Sequence, residues 1–225
     1  LESLFQSADG NIITKMAGCI PPIMASSYVR DVLRSVSIDM RTRWRKSPST
    51  EIQPHLAKSS THVLHPTDIL EFLLRHDEDD AKKQFLKYVS DNPLLLFRVY
   101  NLGSGLFSSP KGMSDRLMRH NRNIDWQLRR IYRVRNKIMH QGIVSMDLAY
   151  FLRHLHSYYL NTIHSIIQAL RRCPSWTIAH AFENVVINYN TLLDDLKSDR
   201  DLNFEKLYQS SVSAHSKRPG WTAKT

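Results

Sequence analysis

From Leu148 to Leu196 the apolar residues recur every three or four positions, a period that fits the 3.6-residue turn of an α-helix and no strand. Leu148, Leu152, Leu155, Tyr159, Ile163, Ile166 and Leu170 form one stripe, which runs out at Arg171-Arg172. Pro174 interrupts the pattern, Ser175 stands where an N-cap is needed, and Ala179, Phe182, Val186, Tyr189, Leu193 and Leu196 resume the period up to Lys197. Two amphipathic helices joined by so short a turn bury their stripes against each other as an antiparallel pair. Glycine points the same way. Only 7 of 225 residues are Gly, too few for the turns of a β-rich chain of this size. The patterning predicts an all-α fold, an antiparallel helical bundle.

Upstream, residues 11–20 read as a short helix that Pro21-Pro22 stops or kinks. A second helix is expected from Ala25 to Lys46, with Tyr28, Val32, Val36 and Met40 as its stripe and Val29 and Leu33 beside it. Residues 47–66, with Pro48, Pro54 and Pro66, read as a loop-rich insertion. Thr67 is placed to cap a helix carrying Asp68 and Glu71 in its first turn and Leu70, Phe72, Leu73 and Leu74 on its core face. Another helical stretch begins at Asp77-Glu78-Asp79-Asp80 and carries Phe85, Leu86 and Val89; Asn92-Pro93 restarts the chain into Leu94–Leu102, ended by Gly103 and Gly105. Asn123 is expected to cap a helix from Ile124 to Gln141 with Gly142 as its stop, and Ser145 to cap the next. This organisation predicts one helical domain over 1–197, its core at 114–197, and a polar basic tail over 198–225. The chain lacks an initiator Met and opens on the already apolar-periodic Leu1-Glu2-Ser3-Leu4-Phe5. It therefore reads as a C-terminal part of a longer protein.

Composition narrows the function classes. Cys19 and Cys173 cannot make a disulfide framework and read as free thiols. No run approaches the ~18 apolar residues of a membrane span. Met16-Ala17-Gly18-Cys19 mimics a lipoprotein cleavage site, but no basic segment or long apolar run precedes it. The expected location is the cytoplasm. Lys and Arg outnumber Asp and Glu by 31 to 21, a formal charge of +10, which suits a polyanionic partner, RNA or DNA. Arg41, Arg43, Arg45 and Lys46 around Trp44 make a basic cluster that suits either RNA or simply a solvated helix end. His154 and His156 are two residues apart and point to different sides of a helix, while His62, His65 and His76 lack ligand spacing. Neither a metal set, a Gly-rich phosphate loop nor a nucleophile elbow is legible, so no metal and no cofactor is expected.

The segment from Leu128 to Gly142 carries the chemistry. Leu128, Ile131, Arg135 and Ile138 share one stripe, so Arg135 occupies a position the pattern reserves for an apolar residue. An arginine there needs a partner or an interface, because burying its charge alone is costly. Arg133, Asn136 and His140 fall together on the adjoining side, and His140 lies in the last turn before Gly142. A guanidinium, an amide and an imidazole suit an RNA phosphate: Arg binds it bidentately and His moves a proton near neutral pH.

Arg135-Asn136-x-x-x-His140, preceded by Ile131-Tyr132-Arg133-Val134 and followed by Gly142, resembles the signature of the HEPN superfamily, and is most similar to Apea-like HEPN domains of prokaryotic antiviral proteins. The Leu1-Glu2-Ser3-Leu4 opening resembles the start of such domains. The resemblance implies a helical domain that forms a homodimer through the motif helix, each chain giving its Arg and His to a composite cleft. It also implies a metal-independent endoribonuclease, in which the ribose 2′-OH attacks the adjacent phosphate to leave a 2′,3′-cyclic phosphate and a 5′-OH. Carried over, His140 transfers protons, Arg135 stabilises phosphoryl charge and Asn136 orients neighbouring groups, while Arg133, Lys137 and Arg129 bind RNA. The implied setting is antiphage defence by abortive infection, or a toxin-like effector, under an N-terminal regulatory or sensing domain. Two other readings stay open: a non-catalytic dimerisation module of the same fold, and a basic helical DNA-binding domain. For Arg135 and His140 themselves, the plain structural reading is a buried Arg bridging two helices and a His favoured at a helix C-terminus.

Overall fold

The computed structural model describes residues 12–43 (backbone only over 40–43), 69, 73, 83, 85–87, 89–107, 109–142 and 148–198. Among these the chain is all-α, with no strand: α1 (Ile12–Arg43), α2 (Pro93–Asn101), a π-helical turn (Leu102–Leu106), α3 (Pro110–Gln141), α4 (Leu148–Arg172) and α5 (Ile178–Lys197). The insertion 47–66, the Thr67 cap, Asp77–Asp80, the Ser145 cap and most of the 198–225 tail lie outside the described residues, as do Leu1–Leu4 and the Trp44 cluster's side chains.

Cα proximity groups the chain into two compact units, one of residues 1–28 with 117–195 and the other of 29–116 with 196–225. In the first, Ile13, Met16, Ile20, Ile23 and Met24 of α1 share a core with Ile124, Leu128 and Ile131 of α3, with Phe151, Tyr158 and Ile166 of α4, and with Ala181 and Phe182 of α5. In the second, the buried residues include Val29, Leu33 and Val36 of α1 with Ile69, Leu73, Phe85, Val89, Leu95 and Val99. The Arg98 guanidinium pairs there with Asp39 and donates to the Ser35 hydroxyl at 2.9 Å.

Pro21-Pro22 does not stop the first helix: α1 runs through both prolines for 32 residues. Each proline costs a helix interior ~3 kcal/mol. Yet Ile20, Pro21, Pro22, Ile23 and Met24 are all buried, and each large apolar side chain contributes about 1.5–3 kcal/mol. The carbonyls deprived of an N–H belong to half-buried Ala17 and exposed Gly18, where water can serve them. Packing outweighs the break. Further along, Val29, Leu33 and Val36 are the buried line, and Tyr28 and Val32 are only half-buried.

Asn123 does not cap a helix but sits inside α3, which starts at Pro110. The cap is Ser109, whose hydroxyl and carbonyl accept from the N–H groups of Gly112 and Met113, each at 3.0 Å. Polar residues in mid-stripe conceal this length in the sequence. His120 stacks on Tyr28 with ring centroids 4.3 Å apart, and the Asn121 side chain hydrogen-bonds Tyr189. Asn92 does cap α2, accepting from the Leu95 N–H at 3.2 Å. Gly103 and Gly105 fall inside the π-helical turn, which closes with the Phe107 N–H on the Leu102 carbonyl.

In α4 the buried line is Phe151, Tyr158, Thr162 and Ile166, whereas Leu152 and Tyr159 are 54% and 41% exposed. Ile166 of the expected stripe is thus buried and Leu155 and Leu170 pack half-buried against the core, while Phe151 and Tyr158 take the places expected of Leu152 and Tyr159. Thr177, not Ser175, caps α5: its hydroxyl accepts from the His180 N–H at 3.2 Å, and its own N–H donates to the His180 ring at 3.4 Å. Phe182, Tyr189, Leu193 and Leu196 are buried, Val186 half-buried and Ala179 exposed.

Candidate functional site

The buried stripe of α3 comes to the surface after Ile131. Leu128 and Ile131 are buried, Arg135 one turn on is exposed, and its Nη1 donates to the Asn136 Oδ1 at 3.1 Å. Arg135 is thus not the buried arginine of the plain structural reading. His140 is exposed in the last turn. The helix ends where Gly142 takes φ 65°, its N–H closing on the Ile138 carbonyl at 3.0 Å. That left-handed conformation is one that glycine adopts without strain. On an ideal helix Arg135 and His140 point about 140° apart, so one chain cannot close both on one phosphate.

The adjoining face of α3 borders an open groove of about 780 Å³, lined by Asn123, Trp126, Gln127, Arg130, Arg133, Val134 and Lys137 together with Tyr150 and Phe151 of α4. The groove holds Arg133 and Lys137, but Arg129, Arg135, Asn136 and His140 are not among its lining residues. Arg129 is engaged along the helix, with Nε 3.0 Å from both carboxylate oxygens of Asp125. His140 follows Arg133 by seven residues, so it points about 20° from it, and it stands about one turn beyond Lys137, the groove's last cation.

The groove wall is a network of polar aromatics. The buried Tyr158 hydroxyl donates to the Gln127 Oε1, and the Gln127 Nε2 lies 3.5 Å from the Tyr150 hydroxyl. Burial, reinforced by Tyr150, pushes the Tyr158 phenol up to about 12, so it stays a neutral donor. The Arg130 guanidinium carbon stands 5.2 Å from the Phe151 ring centroid, a cation–π contact that holds the charged group against the groove wall. His154 packs edge-on against Tyr150 at 4.4 Å, which gives it a structural place instead of a ligand's, and His156 is exposed.

Sequence reasoning missed Trp126, Gln127, Arg130 and Tyr150. Trp126, Arg130, Arg133 and Lys137 are spaced by four, three and four, a legible helix face. Tyr150 and Phe151 come from another helix, and no local signal connects them to that face. Burial, helped by Glu183, raises the Cys19 thiol, which suits an inert side chain. Among the described residues no group of three His, Cys, Asp or Glu gathers closely enough to hold a metal ion, and no helix is long and apolar enough to cross a membrane. No family model, curated protein or solved structure matches the chain.

Proposed function

We propose that the chain is an RNA-cleaving helical domain of the HEPN type, acting as a homodimer through the C-terminal half of α3. The observation that carries this reading is the exposure of Arg135 and His140, with half-buried Asn136 bonded to Arg135, at the end of a helix stopped at Gly142. Their divergence on that helix calls for a second copy, whose Arg135 faces the first chain's His140 across a two-fold axis. In the reaction, the 2′-OH attacks the adjacent phosphorus as its proton leaves, the bond to the 5′-oxygen breaks, and that oxygen takes a proton. The products are a 2′,3′-cyclic phosphate and a 5′-OH. His140 moves protons, Arg135 neutralises charge on the non-bridging oxygens, and Asn136, bonded to Arg135, holds the guanidinium in place. We assign the activity to a cytoplasmic antiphage or toxin effector, with a sensing segment elsewhere in the protein.

Wild type, Arg135→Ala, Asn136→Ala and His140→Ala are incubated with total RNA in EDTA, and the ends are mapped. Wild type is expected to cut and leave 5′-OH ends. Arg135→Ala and His140→Ala lose about 10²–10⁴-fold in rate, Asn136→Ala loses less, and the circular dichroism of all three is unchanged. Undiminished cleavage by His140→Ala, or a strict requirement for added divalent metal, refutes the reading. Sedimentation at tens of micromolar is expected to give a dimer. The second reading, a non-catalytic dimerisation module, draws on the exposed Leu152, Tyr159, Leu160 and Ile167 of α4. A dimer without any cleavage selects it.

A further inference from the structure

We infer that the groove between α3 and the start of α4 is a track for single-stranded RNA that leads a strand to His140; this rests on the nuclease reading above. Trp126, Arg130, Arg133, Lys137 and His140 repeat at intervals of four, three, four and three, a single stripe along the exposed side of one helix. At ~1.5 Å per residue the stripe covers about 21 Å, long enough to follow several nucleotides. Among the described residues no carboxylate pairs with Arg130, Arg133 or Lys137, in contrast to Arg129, which Asp125 holds. These three charges stay available for phosphates.

The aromatic side chains say which polyanion fits. Trp126 and Tyr150 line the same groove and are 65% and 55% exposed, large rings left in water beside a row of cations. That pairing matches the chemistry of unpaired bases: phosphates lie on the cations while base faces stack on the rings. A duplex keeps its base faces stacked inside and gains only the charge contacts. Gln127, fixed by Tyr158, and Asn123 add amides within reach of base edges. The stripe also gives the strand a direction, because its cations end one turn before His140 and the helix ends just beyond. A strand lying on the three cations thus presents its next phosphate to the imidazole.

The test is fluorescence anisotropy with a labelled 12-nucleotide 2′-O-methyl oligouridylate, which lacks the attacking hydroxyl and stays intact, run beside the cleavage assay on the same preparations. The triple variant Arg130→Gln/Arg133→Gln/Lys137→Gln is expected to bind about tenfold or more weakly. The slope of its log affinity against log salt should fall by about 2, from ~0.7 per lost phosphate contact. Trp126→Ala, at an exposed position, is expected to lose roughly tenfold by losing one stacked base, and a duplex of the same length binds wild type more weakly than the single strand. The control Lys111→Gln/Arg171→Gln/Arg172→Gln removes the same charge from exposed positions that lie ~18 Å or more along α3 or α4 from the groove lining, and stays within about twofold, as distant screened charges do. If both triple variants weaken binding equally, or Trp126→Ala binds like wild type, the track is wrong. Binding lost by the groove variants with no cleavage by wild type keeps the track and removes the nuclease. Cleavage that depends on His140 while the groove variants bind normally does the reverse. Should the groove triple variant fail to fold, Lys137→Gln and Trp126→Ala singly carry the same comparison.

Discussion

Tyr158→Phe probes the wall of the groove, and its effect should vanish at high pH. The substitution removes one hydroxyl from a side chain that is 4% exposed, along with its hydrogen bond to the half-buried Gln127. Losing a neutral hydrogen bond of this kind costs about 1 kcal/mol at pH 7, which lowers the melting temperature by roughly 2–4 °C in a chain of this size. In the wild type the phenol titrates at about 12 in the fold against ~10 in the unfolded chain. The folded state holds the proton more tightly, so this contribution to stability is complete below pH 10 and is lost as pH rises from 10 towards 12. With those two values the loss between pH 9 and pH 11 is about 1.3 kcal/mol. The phenylalanine variant has no such proton to lose. Urea unfolding at pH 7, 9, 10 and 11, followed by far-ultraviolet circular dichroism, should show the variant less stable at pH 7 and level with the wild type by about pH 11. The raised Tyr189 phenol is common to both proteins and cancels in the difference. A gap of constant size from pH 7 to pH 11, or no gap at pH 7, would refute the reasoning.

Gly142→Ala meets no atom within 4 Å, so only its positive φ of 65° is at stake; the cost should be about 1–2 kcal/mol in urea unfolding, and an unchanged stability would show that the helix end relaxes freely. Thr162 is fully buried and its hydroxyl finds no partner among the described residues. Thr162→Val should therefore stabilise the protein by roughly 1 kcal/mol, read as a higher melting temperature, and a destabilised variant would reveal a hydrogen bond at that hydroxyl.

What the sequence determined by itself is what short-range physics controls. A 3.6-residue period is a property of neighbours along the chain, so the helical class and the presence of α3, α4 and α5 were legible. So was the stop at Gly142, because one backbone dihedral decides it, and so was the Asn92-Pro93 restart, where cap and proline are adjacent. The placement of Arg135, Asn136 and His140 in the last two turns of α3 was legible for the same reason. The tertiary structure decided the matters on which local rules compete. Pro21 and Pro22 stand inside a helix because the burial of Ile20, Ile23 and Met24 outweighs a local penalty. Phe151 and Tyr158 displace Leu152 and Tyr159 from the core because adjacent residues differ by only ~100° around a helix, and volume chooses between them. Stacking with Tyr28 and bonding to Tyr189 make His120 and Asn121 compatible with a stripe that reads as broken. The groove needed both kinds of information: its cations are periodic in one helix, but Tyr150 and Phe151 reach them only when α4 packs against α3, a contact that no spacing within one helix encodes.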